Sequence, residues 1–212
     1  MSFSNGCRRL AAPAATLGLL ATGQSAFCDR LIDIPTARKL PYGDYRIEYS
    51  DQLASSRTQL GYLDMGIGTS FEASIRTQQL PGRSMQGTVD VTYNYISPIS
   101  GISPGIAFGV QDALNATSDG RRFFFCVTYR DEADAVGGNY PMEVTLGAFF
   151  ANRSSPFLGL SIPFSGNVRF VGEHDGIRLS AGFEYRPIHA LGVRLLSRGN
   201  DLMGGLSWMG HF

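Results

Sequence analysis

From residue 43 onward the chain alternates apolar and polar side chains in short runs. Tyr45, Ile47 and Tyr49 interleave with Arg46, Glu48 and Ser50, and Phe71, Ala73 and Ile75 with Glu72, Ser74 and Arg76. Val89, Val91, Tyr93 and Tyr95 alternate with Thr88, Asp90, Thr92 and Asn94. Further on, Leu179, Ala181, Phe183 and Tyr185 alternate with Arg178, Ser180, Gly182, Glu184 and Arg186. Successive side chains of a strand point to opposite faces, so each run describes a strand with one apolar and one polar face. No segment after residue 30 shows a helical period.

Turn-forming residues separate these runs at short intervals: residues 51–56, Pro81-Gly82, Ser118-Asp119-Gly120, Gly137-Gly138-Asn139, Ser165-Gly166, Asp175-Gly176 and Arg198-Gly199-Asn200-Asp201. Such residues supply positive φ or local side-chain bonds where a chain reverses. The pattern predicts strands over 43–51, 57–66, 68–78, 86–97, 104–112, 121–131, 141–151, 157–164, 167–174, 176–187, 190–198 and 201–212. Twelve strands joined in sequence make an all-β antiparallel up-and-down meander; loss of weak segments such as 157–164 would bring the count to ten. Either count suits a transmembrane β-barrel, since bacterial single-chain barrels have even strand numbers.

Alternation alone does not say which face is inside. A secreted soluble barrel would turn the apolar face inward; a barrel in lipid would turn it outward. The polar face is densely and evenly charged, by Arg46, Glu48, Glu72, Arg76, Asp90, Arg122, Arg130, Glu143, Arg169, Glu173, Arg178, Glu184 and Arg194. The apolar face carries aromatics near strand ends, including Tyr45, Tyr95, Tyr129, Tyr185 and Trp208. This distribution matches a salt-bridged lumen and interfacial girdles. The last strand closes on Leu206, Trp208 and Phe212 in one register, similar to the C-terminal signal read by outer-membrane barrel assembly machinery, with Gly210 departing from that pattern.

Composition agrees with one exported barrel. The 212 residues suit a single domain, and charged residues make up only 17%, against about 25% in an average soluble domain. Positive and negative charges balance, which gives no reason to expect a nucleic-acid partner. Lys39 is the one lysine, so nearly all positive charge is Arg, whose planar fork can serve several partners in a polar interior. Arg8 and Arg9 followed by the apolar stretch from Leu10 to Ala21 have the layout of a secretory signal over residues 1–28, with cleavage after Ala26 or Cys28. The barrel domain is then 29–212. Three cysteines, Cys7, Cys28 and Cys126, are too few for a disulfide framework. Cys126 reads as a small residue facing an interior.

Several stretches resemble the YjbH-type exopolysaccharide proteins of the outer membrane. They are Leu31-Ile32-Asp33-Ile34-Pro35-Thr36-Ala37-Arg38, followed by Gly43 and Tyr49-Ser50, then Phe71-Glu72-Ala73-Ser74-Ile75-Arg76. Two more are the strand and turn from Pro104 through Ala107 and Gly109 to Asp112, and the hairpin Glu173-His174-Asp175-Gly176. The resemblance implies an outer-membrane barrel tied to exopolysaccharide production. Family members are often much longer than this chain.

Catalytic signals are sparse. His174, His189 and His211 are the only histidines. A lipid hydrolase would have to pair His189 with Ser197, oriented by Glu184 or Glu173, and no nucleophile elbow surrounds any serine. No His, Cys or carboxylate spacing suits a metal, and no glycine run precedes a helix as a phosphate cradle requires. The expectation is a non-catalytic envelope barrel without cofactor. Its partners would be outer-membrane lipid, the assembly machinery, and polysaccharide or export components. A passive narrow pore or scaffold is the first alternative, and the lipid hydrolase the second.

Overall fold

The computed structural model describes residues 30–53, 58–118, 120–151 and 154–212. The signal segment 1–28 lies outside the described residues. Twelve strands follow one another: β1 Asp44–Gln52, β2 Gln59–Ile67, β3 Phe71–Gln79, β4 Gln86–Ile96, β5 Gly105–Gln111 and β6 Arg122–Ala135. The remainder are β7 Gly138–Phe150, β8 Ser155–Pro163, β9 Val168–His174, β10 Leu179–Ile188, β11 Leu191–Arg198 and β12 Asp201–His211.

Each strand pairs antiparallel with the next, and β1 pairs with β12 from Asp44↔His211 to Gln52↔Met203, which closes the sheet. Closure satisfies every ladder and leaves no open edge. The register bends at two places, between Asn94 and Ile96 against β5 and between Tyr185 and Ile188 against β11. Bulges of this kind curve a strand where the wall must turn.

The alternation read from the sequence sorts the two faces, with the apolar one outside. On β1, Arg46 and Glu48 are 0% and 4% exposed, whereas Ile47 and Tyr49, which follow them in turn, are 50% and 48% exposed. Tyr45, Tyr95, Tyr129, Tyr185 and Trp208 all lie on the exterior registers. The soluble alternative, with apolar side chains inward, is therefore not the arrangement adopted.

Two parts of the wall differ from the predicted strands. β6 and β7 extend to Ala135↔Gly138 around a two-residue turn, instead of stopping near 131 and 141. Gly137 and Gly138 take φ of +94° and +138° there, conformations a side chain disfavours. β5 reaches only to Thr128 of β6 and β8 only to Glu143 of β7, so residues 129–142 project past the wall as a hairpin. The second difference is Arg178, predicted on a strand. It sits in the turn before β10 and is exposed. Asp175 Oδ1 accepts the Ile177 and Arg178 N–H groups at 2.8 and 2.6 Å, and Gly176 has φ +91°; these hold the chain in a turn that removes Arg178 from the ladder.

Candidate functional site: the plugged lumen

The barrel interior is not an open tube. Residues 30–42 enter beside Gly43, at the end that also carries Phe212, and run up the lumen before β1 begins. Residues 31–38 are all buried. Where this segment enters, a Cβ on Gly66 would lie 2.0 Å from the Pro41 carbonyl oxygen, so only glycine lets the wall approach the segment that closely.

The wall holds this plug through single side chains on strands all around the barrel. Glu72 of β3 accepts the Leu40 N–H at 2.9 Å, and Thr128 of β6 accepts that of Ala37 at 2.8 Å. Arg38 donates to Glu143 of β7. At the tip, Glu173 of β9 accepts three consecutive backbone N–H groups, from Ile32 and Asp33 at 2.9 Å and Ile34 at 3.2 Å. Successive N–H groups converging on one carboxylate form an anion nest. Asp33 is paired with Arg198 of β11 at 2.6 Å and accepts the Tyr62 hydroxyl of β2 at 2.9 Å. The Gln111 amide donates to the Asp33 carbonyl at 3.4 Å. The plug then turns back, so that Arg30 lies 3.5 Å over the Tyr62 ring and 3.4 Å from Asp64.

The four stretches that carried the family resemblance meet here. One is the plug itself; the others supply Glu72, Gln111 and the Glu173 nest, and a Cβ on Gly105 would come within 3.0 Å of that of Ala37.

Around β9, β10, β11, β1 and β2 the interior is a continuous ion-pair chain. Glu184 pairs with Arg169 at 3.0 Å, with Arg194 at 2.5 Å and with Arg186. Arg194 reaches on to Glu48 at 3.0 Å, Glu48 meets Arg46, and Arg46 lies 3.8 Å from Asp64. The opposite side is apolar. Phe124, Phe149 and Phe157 point inward and pack with Leu31, Ile34, Ala37, Ala107 and Cys126. The Phe149 and Phe157 rings lie 4.6 Å apart. The plug thus has one charged and one greasy neighbour surface, and its Leu31, Ile32, Ile34 and Ala37 belong to the greasy one.

Above the plug tip, at the mouth farther from Phe212, a cavity of about 270 Å³ remains. Asp33 forms part of its floor, and Arg76, Arg83, Arg122, Arg178 and Arg198 line it. One side is formed by Asp112, Thr117, Ser118 and Gly120, with Asp112 as the organising residue. Its carboxylate accepts the Ala116 and Thr117 N–H groups at 2.7 and 2.8 Å and the Thr117 hydroxyl at 2.6 Å, with φ at +52°. Burial pushes the Asp112 carboxyl upward, but these hydrogen bonds outweigh it and hold the group below its ordinary range.

Of the residues predicted to form a lumen network, Arg46, Glu48, Asp90, Glu143, Arg169, Glu184 and Arg194 are buried inside. Glu72, Arg76, Arg122 and Arg130 are half-buried on the same inward registers. Arg178 joins the mouth from its turn. Leu206, Trp208 and Phe212 share the exterior register of β12, and Phe212 stacks beside Tyr45 at 6.4 Å. His211 has the inward register and lies 2.7 Å from Asp44 at the rim. The hydrolase grouping does not assemble. His189 and Ser197 stand at opposite ends of β11, Ser197 points outward, and Glu184 and Glu173 are already engaged. Among the described residues no group of three His, Cys, Asp or Glu could hold a metal ion.

Sequence reasoning missed the plug contacts of Tyr62, Thr128 and Arg198 and the inward phenylalanines. The available signal was the stretch 31–40, where Leu31, Ile32, Ile34, Ala37 and Leu40 stand among polar residues without alternation or a helical period.

No family model matches the chain, and no curated protein matches it in sequence. Among solved structures it is similar to the Acinetobacter baumannii outer membrane protein Omp33, with 8% identity and a TM-score of 0.46, over 80% of this chain and 98% of that one.

Proposed function

We propose that this protein is an outer-membrane barrel closed by its own N-terminal segment, with a structural or export role in the cell envelope. One observation carries the reading: a closed barrel with charged side chains inside and large apolar ones outside has its stable environment in lipid. Phe123, Leu146, Phe183, Leu195 and Leu206, on five different strands, are each between 49% and 58% exposed. A water-soluble surface does not carry so continuous an apolar band. β1, β2 and β3 have nine residues each and β4 and β12 eleven, and about 9–11 residues suffice for a tilted strand to cross a bilayer. Tyr45, Tyr95, Tyr129 and Trp208 lie on exterior positions toward the end bearing Phe212, where they form an aromatic belt at that interface.

The plug supports a sealed resting state over a permanently open narrow pore. The finer link, to exopolysaccharide production, rests on the resemblance of residues 31–38, 71–76, 104–112 and 173–176 to the YjbH-type proteins. Lipid and the assembly machinery are its partners on this reading, with polysaccharide or export components at the mouth.

Membrane fractions of cells expressing the full chain should yield a band whose gel migration shifts on boiling. The extracted protein should insert into planar bilayers without steady conductance. Recovery of the unboiled protein from the aqueous fraction without detergent would refute membrane placement; steady conductance would refute the seal. Loss of the gene should lower surface polysaccharide, and an unchanged amount would remove the exopolysaccharide link.

A further inference from the structure

The geometry points to the cavity above the plug tip as a binding site for an acidic sugar, a carboxylate attached to a polyhydroxylated ring. This rests on the envelope reading above and names the chemistry that the mouth farther from Phe212 recognises. Five arginines surround the cavity from four directions: Arg76 on β3, Arg122 on β6, Arg198 on β11, and Arg83 and Arg178 on turns that overhang it.

The three lining carboxylates offset only part of this set of five cations, and Arg76 feels the fields of both Asp33 and Asp112. Asp33 is matched by Arg198 at 2.6 Å. Asp112 and Asp175 direct their oxygens to loop N–H and hydroxyl groups. Among the described residues Arg76, Arg83 and Arg178 have no carboxylate at ion-pair distance, and Arg76 donates only to the Thr88 hydroxyl at 3.3 Å. A cationic cluster inside low-dielectric walls focuses its field on the mouth, and guanidinium forks match a planar carboxylate with two parallel bonds.

The remaining lining selects a sugar over a bare anion. Gln78, Gln86, Thr117 and Ser118 offer neutral donors and acceptors suited to hydroxyls. Leu80 and Ile177 present apolar surface for a ring face. The volume of about 270 Å³ corresponds to roughly nine water molecules, the scale of one sugar unit. Outer-leaflet headgroups face the outside of the wall, so the ligand comes from the aqueous side.

Isothermal titration of the detergent-solubilised full chain with glucuronate, glucose and inorganic phosphate tests this. Glucuronate should bind saturably and weaken as salt rises, and glucose should not bind. The double variant Arg83→Gln/Arg178→Gln, altered only on exposed turns, should lose at least tenfold in affinity while keeping its heat-modifiable migration. No saturable glucuronate binding, or equal affinity in the variant, would overturn the site. Phosphate binding as tightly as glucuronate would overturn the sugar assignment. A preparation that is heat-modifiable and electrically silent yet fails to bind overturns this inference alone. Failure of those two properties overturns the envelope reading instead.

Discussion

Glu184 is the residue on which most interior charge depends. It is fully buried and receives Arg169, Arg186 and Arg194 together. Such a network gains little over a well-packed apolar one, because desolvating each ion costs several kcal/mol; removing one member, however, strands the others. Glu184→Ala leaves three guanidinium groups short of their shared carboxylate and should destabilise the barrel by about 3–5 kcal/mol, read as a lower urea midpoint for loss of the fast-migrating band. A midpoint equal to wild type would show that water or Glu48 takes over the charge. Asp112 gives a second residue-scale test. Its carboxyl is held below the ordinary 3.8, so its contribution to holding Ala116 and Thr117 is fully present above that value and is lost as pH falls through the lower folded one. Amide exchange at Ala116 and Thr117, measured at fixed intrinsic rate, should show protection at neutral pH that disappears only in acid, and Asp112→Asn should reduce it at neutral pH and abolish its dependence on pH. Alternation made the inward charges legible residue by residue. It did not reveal Phe124, Phe149 and Phe157, because in runs such as Phe123-Phe124-Phe125 both faces are aromatic and hydropathy carries no phase.

Among the elements, the strands were readable and the plug was not. A strand between two neighbours shows itself in a period of two, whereas residues 31–40 are enclosed by the wall, with charged partners and apolar ones reached from the same short stretch and no regular alternation. The β6–β7 hairpin was underestimated for a related reason: beyond Tyr129 it leaves the wall, so Asp131, Glu132 and Asp134 no longer mark an inside. Energetics explain why the plug needs its polar anchors. Ordering eleven residues, 30–40, costs about 11–22 kcal/mol of backbone entropy. Burying Leu31, Ile32, Ile34 and Leu40 returns about 6–12, which does not hold the segment by itself. The three hydrogen bonds to Glu173, at about 0.5–1.5 kcal/mol each, and the charge-assisted ones to Glu72 and Glu143, at about 1.5–3 kcal/mol each, close the difference. Glu173→Leu combined with Arg38→Leu should therefore free the plug. Planar-bilayer recordings should then show conductance steps absent from wild type, and protease added from the side of Phe212 should cut within 30–40. A silent bilayer with an intact segment would mean that apolar packing alone retains the plug.

At the level of the whole molecule, the distribution of polarity makes opposite demands on the same substitution in lipid and in water. Leu195 lies mid-strand on β11 and is 49% exposed; Leu202 is the second residue of β12, at the rim, and is 47% exposed. In water both are half-exposed surface leucines, and arginine at either would change stability by no more than about 0.5 kcal/mol. In a bilayer the two differ by depth. Arginine at the midplane costs about 2–4 kcal/mol, falling to about 0–1 near the interface. Folding titrations into phospholipid vesicles should therefore show Leu195→Arg destabilised by several-fold more free energy than Leu202→Arg, while both variants keep the closed twelve-strand barrel. The contrast is independent of the plug and of any ligand, since both side chains point away from the lumen. Equal effects at the two positions would mean that the apolar exterior is covered by something other than lipid, and the reading of the barrel as a membrane wall would have to be given up.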